Sequence, residues 1–166
     1  MLFVVLIVFA VSVVVVLKSV IAVPERSAYV VERLGQYLTT LPSGLHVLLP
    51  LIDSVRYRFS LDPREEQISY TCITRDNVPV RLDSVVRAQI ADPQLAAYAS
   101  ANAGDFVTTL VRTHQRQWIG EHSWEDARQS MRDLEVAVEQ AASQPAASAG
   151  IKILAVELKS VERAES

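Results

Sequence analysis

Residues 1–23 form an almost uninterrupted apolar stretch. Ser12 carries the only polar side chain before Lys18-Ser19, and apolar residues then resume until Pro24. A helix of roughly 17 to 23 residues, rising ~1.5 Å per residue, spans about 26 to 35 Å, which is close to the hydrocarbon thickness of a bilayer. The pattern therefore predicts a transmembrane anchor over residues 1–23.

A cleaved signal peptide is the alternative for this stretch, because residues 20–22 include a small residue of the kind that signal peptidases accept. However, no Lys or Arg precedes the apolar run, and the run is longer than a usual signal-peptide core. Lys18, Arg26 and Arg33 all follow the run, so the positive-inside rule predicts an outside N-terminus. We expect a single-pass protein of the cell (inner) membrane with its following domain, residues 24–161, in the cytoplasm.

Alternating apolar and polar positions predict strands after the anchor. Residues 28–31 are β-branched and aromatic and are closed by Gly35, and residues 55–60 and 67–74 alternate with period two. The turn-forming residues 75–77 then precede a long alternating run over residues 78–90. Together these two runs predict a β-hairpin that a scaffold could present outwards. Its polar face carries Arg81, Asp83 and Arg87, which we single out as candidate contacts for an oligomer or a partner.

The apolar segment at residues 41–52 leaves two interpretations open. Pro42, Gly44 and Pro50 interrupt it, so it cannot be a spanning helix. It is either a buried core strand or a segment that lies against the bilayer surface. The candidate lipid contacts are Leu45, Val47, Leu48 and Leu49.

The second half of the sequence has the 3.6-residue period of helices. Asp92-Pro93 opens a short helix that we expect to stop near Gly104, and a second helix is predicted to end at Gly120. Ser123 to Asp126 resembles a capping box. The helix that ends at Gly120 carries a predicted apolar stripe of Phe106, Leu110, His114 and Trp118. The helix that starts at the capping box carries a predicted seam of Ala127, Met131, Leu134, Val138 and Ala141 and is expected to stop at Pro145 and Gly150. A last strand is predicted at Leu154, Val156 and Leu158, followed by a charged tail at residues 162–166. The order of elements predicts an α+β domain with helices packed on an antiparallel sheet.

Charge and chemistry narrow the functional classes. The net charge is −3, with 16 basic and 19 acidic residues scattered along the chain, so the basic stripe of a nucleic-acid-binding protein is missing. The five glycines are too dispersed for a phosphate-binding loop. The three histidines and Cys72 show neither metal-ligand spacing nor a nucleophile–base pattern. We therefore predict no catalytic residue, no metal and no cofactor.

Several stretches resemble the stomatin/prohibitin/flotillin family, also called the SPFH or Band 7 family. They include VPERSAYVVERLGQY from Val23, LPSGLH with LPLID at residues 41–53, and TRDNVPV from Thr74 followed by Ala91-Asp92-Pro93. Ile119-Gly120-Glu121 and Gly150 to Ile153 follow in the family's order. The resemblance extends from Met1 to about Val161 and identifies the chain as a prokaryotic stomatin-like member.

The resemblance implies a non-enzymatic membrane scaffold that forms homo- or hetero-oligomers with SPFH proteins and organises membrane microdomains. It also implies that residues 45–49 lie against the bilayer, and that an NfeD-family protein or a membrane AAA protease is a partner. The family's long coiled-coil region would follow the last strand, and the sequence ends at Ser166 without it. Either the sequence is a piece of a longer protein or a naturally short member of the family, or assembly relies on the domain's own edges. The rival function is a small membrane-tethered adaptor that regulates one protease or transporter without large-scale assembly.

The charge asymmetry around the anchor gives a topology prediction. A green fluorescent protein fused after Ser166 should fluoresce in the cytoplasm, because the basic residues follow the apolar run. Strong activity of alkaline phosphatase fused at the same position would contradict this orientation. Intact mass spectrometry of the membrane-extracted protein should show residues 1–23 retained.

Overall fold

The computed structural model describes residues 1, 3, 6, 9, 19–99 and 102–164. Most of the predicted anchor therefore lies outside the described residues. Of the helices that are described, none has both the length and the apolar character needed to cross a bilayer. Val20–Val23, the last four residues of the predicted anchor, form a strand and correct its C-terminal boundary. Their β-branched side chains favour an extended backbone, and a partner strand satisfies their peptide groups.

The chain divides into two units, residues 1–61 and 62–166. The first unit contains five strands: β1 (Val20–Val23), β2 (Ser27–Arg33), β3 (Gln36–Leu41), β4 (Gly44–Val47) and β5 (Asp53–Ser60). β1 pairs with β4 in a two-stranded antiparallel ribbon, and β3, β2 and β5 form a second antiparallel sheet. The strands predicted around residues 28–31 and 55–60 are confirmed.

A small apolar cluster holds the first unit together. Val23, Val31, Leu41 and Leu48 are buried in it, and Ile21, Tyr29 and Val55 pack against it. The hairpin between β2 and β3 was missed from the sequence, where Gly35 was only expected to end a strand. Leu34 and Gly35 both have positive φ angles, 52° and 83°, as tight hairpin turns require. A leucine in that conformation is uncommon, so of the two turn residues only Gly35 is one that the sequence marks as turn-forming.

The second unit is a layer of helices on one antiparallel sheet. Its strands are β6 (Arg64–Ile73), β7 (Pro79–Ile90) and β8 (Ile151–Arg163), with β7 in the centre. Its helices are α1 (Pro93–Ala99), α2 (Ala103–Glu121), α3 (Trp124–Gln129) and α4 (Met131–Ser148). α2 packs on β6 and β7, and α4 packs on β8 and on α2. The predicted α+β class, with helices packed on an antiparallel sheet, is confirmed.

The period-two pattern of β7 correctly predicts its two faces. Val80, Leu82, Ser84 and Val86 are buried on the helix-covered face. Arg81, Asp83 and Arg87 lie on the opposite face, half-buried or exposed. The predicted hairpin is also confirmed, since β6 and β7 pair antiparallel from Arg64 to Ile73 and Asn77 adopts a left-handed φ of 61° in the turn.

Two predictions about the helices were wrong in detail. Gly104 does not stop α1, because it lies in the first turn of α2, where its N–H is donated to the side chain of the N-cap residue Asn102. The fully buried stripe of α2 is Val107, Val111, Gln115 and Ile119. The stripe predicted from Phe106, Leu110, His114 and Trp118 is shifted by one position and is only partly buried. α2 packs against both the sheet and α4, and a single apolar spacing cannot distinguish these two sides.

Three predicted helix and strand boundaries also change. The capping box is confirmed, with reciprocal hydrogen bonds between Ser123 and Asp126, but α3 ends at Gln129 and α4 starts anew at Met131. Consequently Ala127, Leu134 and Val138 of the predicted seam are buried, whereas Met131 and Ala141 are exposed. Pro145 lies inside α4 at an exposed position and does not end it. β8 continues to Arg163, so the predicted tail at residues 162–166 begins within a strand because Glu162 and Arg163 pair with β7.

Gly150 joins α4 to β8 and gives a test of this fold. It has φ +71°, and a Cβ there would collide with the Asp92 carbonyl oxygen and lie 2.8 Å from the Ala96 nitrogen. Gly150→Ala should therefore lower the free energy of unfolding by about 2–4 kcal/mol. Gly120→Ala is the matched control, because nothing lies within 4 Å of its Cβ position, and should raise stability by roughly 0.5–1 kcal/mol. Urea unfolding followed by circular dichroism measures both, and equal effects would contradict the close approach at Gly150.

Candidate functional site

The ribbon of β1 and β4 presents one continuous apolar face to solvent. Val20 pairs with Val47, and Ala22 pairs with Leu45, so these four side chains share that face. Leu45 and Val47 are 77% and 75% exposed. On the opposite face of β1, Val23 is buried in the core of the first unit and Ile21 packs against it. We call the exposed set Val20, Ala22, Leu45 and Val47 the apolar ribbon.

The structure separates the four predicted lipid contacts into two groups. Leu45, Val47 and Leu49 are exposed, whereas Leu48 is only 8% exposed and belongs to the core cluster. The backbone N–H of Leu48 donates to the carbonyl of Ser19 at 2.8 Å, which fixes the register of the segment. The core interpretation therefore holds for Leu48, whereas Leu45, Val47 and Leu49 face solvent, and lipid contact at these three residues stays a prediction.

A bidentate ion pair holds the loop that follows β4. Arg33 donates to both carboxylate oxygens of Asp53, at 2.6 and 3.0 Å, and the N–H of Leu49 donates to the same carboxylate at 2.9 Å. The hydrogen bonds from Arg33, followed by that from Leu49, lower the pKa of Asp53. The loop it anchors exposes Leu51 almost completely and with a φ of 86°. An apolar side chain held outwards on a strained backbone is typical of a functional surface.

Sequence reasoning missed several members of this surface. Val20 and Ala22 were assigned to the anchor, because residues 20–23 are all apolar and carry no period-two alternation that would mark a strand. Leu34 was not noticed at all, because a single leucine next to a glycine has no periodicity. It is 81% exposed in the β2–β3 turn, and its N–H donates to the carbonyl of Ile52. The turn and the loop after β4 are therefore neighbours.

The three candidate contacts on β7 lie together on the face of the sheet opposite to α2 and α4. Arg81 is 3.5 Å from Asp83, and Asp83 accepts a hydrogen bond from Ser160 at 3.1 Å. Hydrogen bonding to Ser69, and then to Ser160, lowers the pKa of Asp83. Arg87 pairs with Glu65 of β6 at 2.7 Å. Each charge thus has a partner within the sheet, which makes this face polar and internally compensated.

The tip of the β6–β7 hairpin is fastened to the helices. The carboxylate of Asp76 accepts hydrogen bonds from the Thr74 hydroxyl at 2.5 Å and from the N–H of Trp124 at 3.0 Å. The N–H of Arg75 donates to the carbonyl of His122 at 2.9 Å. The expectation that the hairpin is presented outwards is therefore corrected at its tip, because Asp76 caps the start of α3 as well as its own turn.

His114, His122 and the cysteine occupy packing positions, whereas the His46 ring hydrogen bonds to the Pro42 carbonyl at 2.8 Å. Cys72 is buried in the core of the second unit, and burial raises the pKa of its thiol, which disfavours the reactive thiolate. His122 stacks on Trp118 with ring centres 3.7 Å apart. His114 lines a cavity of about 140 Å³ between α2 and α4, together with Gln117, Trp118, Glu121, Ala137, Val138 and Ala141. No group of three metal-binding side chains occurs among the residues that the structure describes.

Comparison with known proteins gives a consistent result. The sequence profile of the "SPFH domain / Band 7 family" matches residues 21–166, which include β2 to β8 completely and all of β1 except Val20. An uncharacterized protein of Mycobacterium tuberculosis is 34% identical over 161 residues, 95% of this chain and 41% of that protein. An uncharacterized protein of Schizosaccharomyces pombe is 34% identical over 145 residues, 87% of this chain and 41% of that protein.

Human "Stomatin-like protein 2, mitochondrial" is 32% identical over 143 residues, 86% of this chain and 40% of that protein. The chain thus spans about two fifths of the length of these relatives. The profile match over most of the chain confirms the resemblance seen in the sequence motifs. The chain belongs to the SPFH domain / Band 7 family, whose members are generally membrane-associated scaffolds.

Proposed function

We propose that this protein is a non-enzymatic membrane scaffold whose first unit lies against the bilayer through the apolar ribbon. The observation that carries the proposal is the exposure of Leu45 and Val47 on a strand whose other face is packed. Soluble proteins rarely expose a contiguous apolar surface unless it binds something. The membrane association that is general in the family makes a lipid surface the partner that fits.

The position of the ribbon in the chain supports the same partner. β1 begins at Val20, directly after the apolar stretch that we propose as the membrane anchor. An anchor that ends just before Val20 would hold the ribbon within a few residues of the bilayer surface. Because β4 pairs with β1 along its whole length, Leu45 and Val47 would be carried to the same depth. Leu49 and Leu51 extend this surface into the following loop.

The scaffold role further requires contacts with other proteins. We propose self-association, and we retain the sheet face that carries Arg81, Asp83 and Arg87 as a contact for a partner protein. Because these charges are already paired within the sheet, they would set the orientation and register of a partner protein more than they would tighten its binding. An NfeD-family protein or a membrane AAA protease stays a proposed partner, and pull-down of the membrane-extracted protein followed by mass spectrometry tests it.

Aspartate substitutions in one short segment distinguish lipid contact from core packing. In the fragment 19–166, which omits most of the anchor and keeps β1, Leu45→Asp/Val47→Asp should weaken flotation with lipid vesicles by at least roughly a hundredfold. The reason is that inserting a Leu and a Val side chain contributes about 1.5–3 kcal/mol each. The double variant should remain folded by circular dichroism, since both side chains are exposed. Leu48→Asp should instead unfold the first unit, because it places a carboxylate in the core.

Ile73→Asp is the matched control for this experiment. Ile73 is an apolar side chain of the second unit that is 57% exposed on β6, so its substitution should leave flotation unchanged. Flotation of the folded Leu45→Asp/Val47→Asp fragment at the level of the parent would contradict the proposed lipid contact.

A further inference from the structure

The cavity between α2 and α4 has two unlike walls and a volume of about 140 Å³. Its α2 wall consists of residues on one flank of that helix: His114, Gln117, Trp118 and Glu121. Its α4 wall is small and apolar: Ala137, Val138 and Ala141. A cavity of about 150 Å³ holds one benzene molecule. The space between α2 and α4 therefore suits the end of one side chain and is too small for a cofactor.

Gln117 and Glu121 offer hydrogen-bond acceptors at this cavity. The side-chain amide of Gln117 donates to the Glu121 carboxylate at 3.3 Å, which leaves the amide oxygen of Gln117 as an acceptor. A carboxylate has acceptor sites only. The Glu121 carboxylate takes part in none of the ion pairs between the residues that the structure describes. A positively charged donor is therefore the complementary ligand.

The position of Glu121 at the end of α2 strengthens the negative potential of the cavity. α2 is 19 residues long and Glu121 is its last residue, where the terminal carbonyl groups carry a partial negative charge. A cation is stabilised at such an end, but the last turn of α2 contains no basic residue. The helices α2, α3 and α4 together contain four arginines and seven carboxylates, a net charge of −3. Arg116, the nearest arginine before Glu121 in the sequence, lies over the ring of Tyr70 on β6, 5.7 Å from its centre.

Trp118 gives the cavity an aromatic wall. Its indole stacks on the His122 ring with centres 3.7 Å apart and planes inclined by 9°. Nδ1–H of His122 donates to the Trp118 carbonyl at 2.7 Å, which fixes the two rings relative to each other. None of the cation–π contacts between described residues involves Trp118. Because indole is the side chain whose face attracts cations best, Trp118 and Glu121 favour the same kind of ligand.

We propose that this cavity binds the side chain of a lysine on a partner protein. The ammonium group binds the Glu121 carboxylate and the Gln117 amide oxygen, and the methylene groups pack on the apolar α4 wall beside Trp118. Lysine fits better than arginine because its charge is a compact ammonium with three donors on an apolar stem, whereas a guanidinium is a wide planar fork. The choice of a protein as the source of the ammonium rests on the scaffold function proposed above.

Binding is measured on the full chain in detergent by ligand-observed nuclear magnetic resonance, with Nα-acetyl-lysine methylamide as the probe. The parent should bind this probe at least about tenfold more tightly than the Nε-acetylated analogue, which keeps the stem and lacks the charge. Glu121→Gln should weaken binding of the lysine probe by at least about tenfold, because it removes the negative charge at nearly constant size. Glu125→Gln is the matched control, since Glu125 is an exposed carboxylate of α3 outside the cavity, and should bind like the parent.

A second pair of variants tests the cavity itself. Ala141→Leu should abolish binding of the lysine probe, because the larger side chain fills the space beside α2. Ala147→Leu makes the same change at another exposed position of α4 outside the cavity and should bind like the parent. Circular dichroism and thermal melting verify that all variants are folded.

Four results would overturn the lysine site: no binding of the lysine probe by the parent, equal affinity for the Nε-acetylated analogue, parent-like binding by Glu121→Gln, or parent-like binding by Ala141→Leu. Tighter binding of choline than of the lysine probe would also overturn it, because a lipid headgroup would then be the occupant. Vesicle flotation is measured separately. Loss of lysine binding with flotation intact would leave the membrane proposal standing, and loss of flotation with lysine binding intact would contradict the membrane proposal alone.

Discussion

The antiparallel pairing of β1 with β4 determines which apolar side chains of the first unit are available for contact. Successive residues of a strand point to opposite faces. The register that pairs Val20 with Val47 therefore fixes the face to which every other side chain of β1 and β4 points. Leu45 and Val47 turn to solvent, while Ile21 and Val23 turn to the core. A shift of one residue would bury the exposed set and expose the core set. The Arg33–Asp53 pair supports this register by holding the loop where β4 ends.

The strands of the second unit also point successive side chains to opposite faces of their sheet. Its sheet buries one face under α2 and α4, and the polar side chains of the other face satisfy one another. Polar groups that remain buried form their own network, in which Gln115 and Ser84 are joined by a 3.1 Å hydrogen bond.

Much of this fold could be predicted from the sequence, because β7 repeats its apolar positions with period two over many residues, whereas the apolar spacing of α2 located the helix but not its buried stripe. The capping box at Ser123 was equally readable, since it depends on two side chains three residues apart. What could not be predicted depends on contacts distant in sequence. The exposure of Leu45 beside the burial of Leu48 follows from pairing with β1, and no local pattern reports it. The approach of Arg112 to Tyr70 likewise joins a helix to a strand 42 residues away.

The central claim is that the exposed side of the ribbon contacts lipid while the first unit stays folded. The most direct measurement places a fluorophore at Leu45→Cys or Val47→Cys in the full chain, on a Cys72→Ala background, and adds brominated lipids to the bilayer. The account predicts that brominated lipids strongly quench the fluorophore at both positions. The quenching should be weaker when the bromines lie deep in the acyl chains, and a fluorophore at the control Ile73→Cys should not be quenched. Fluorescence at Leu45→Cys and Val47→Cys as insensitive to brominated lipid as that of the control would contradict it.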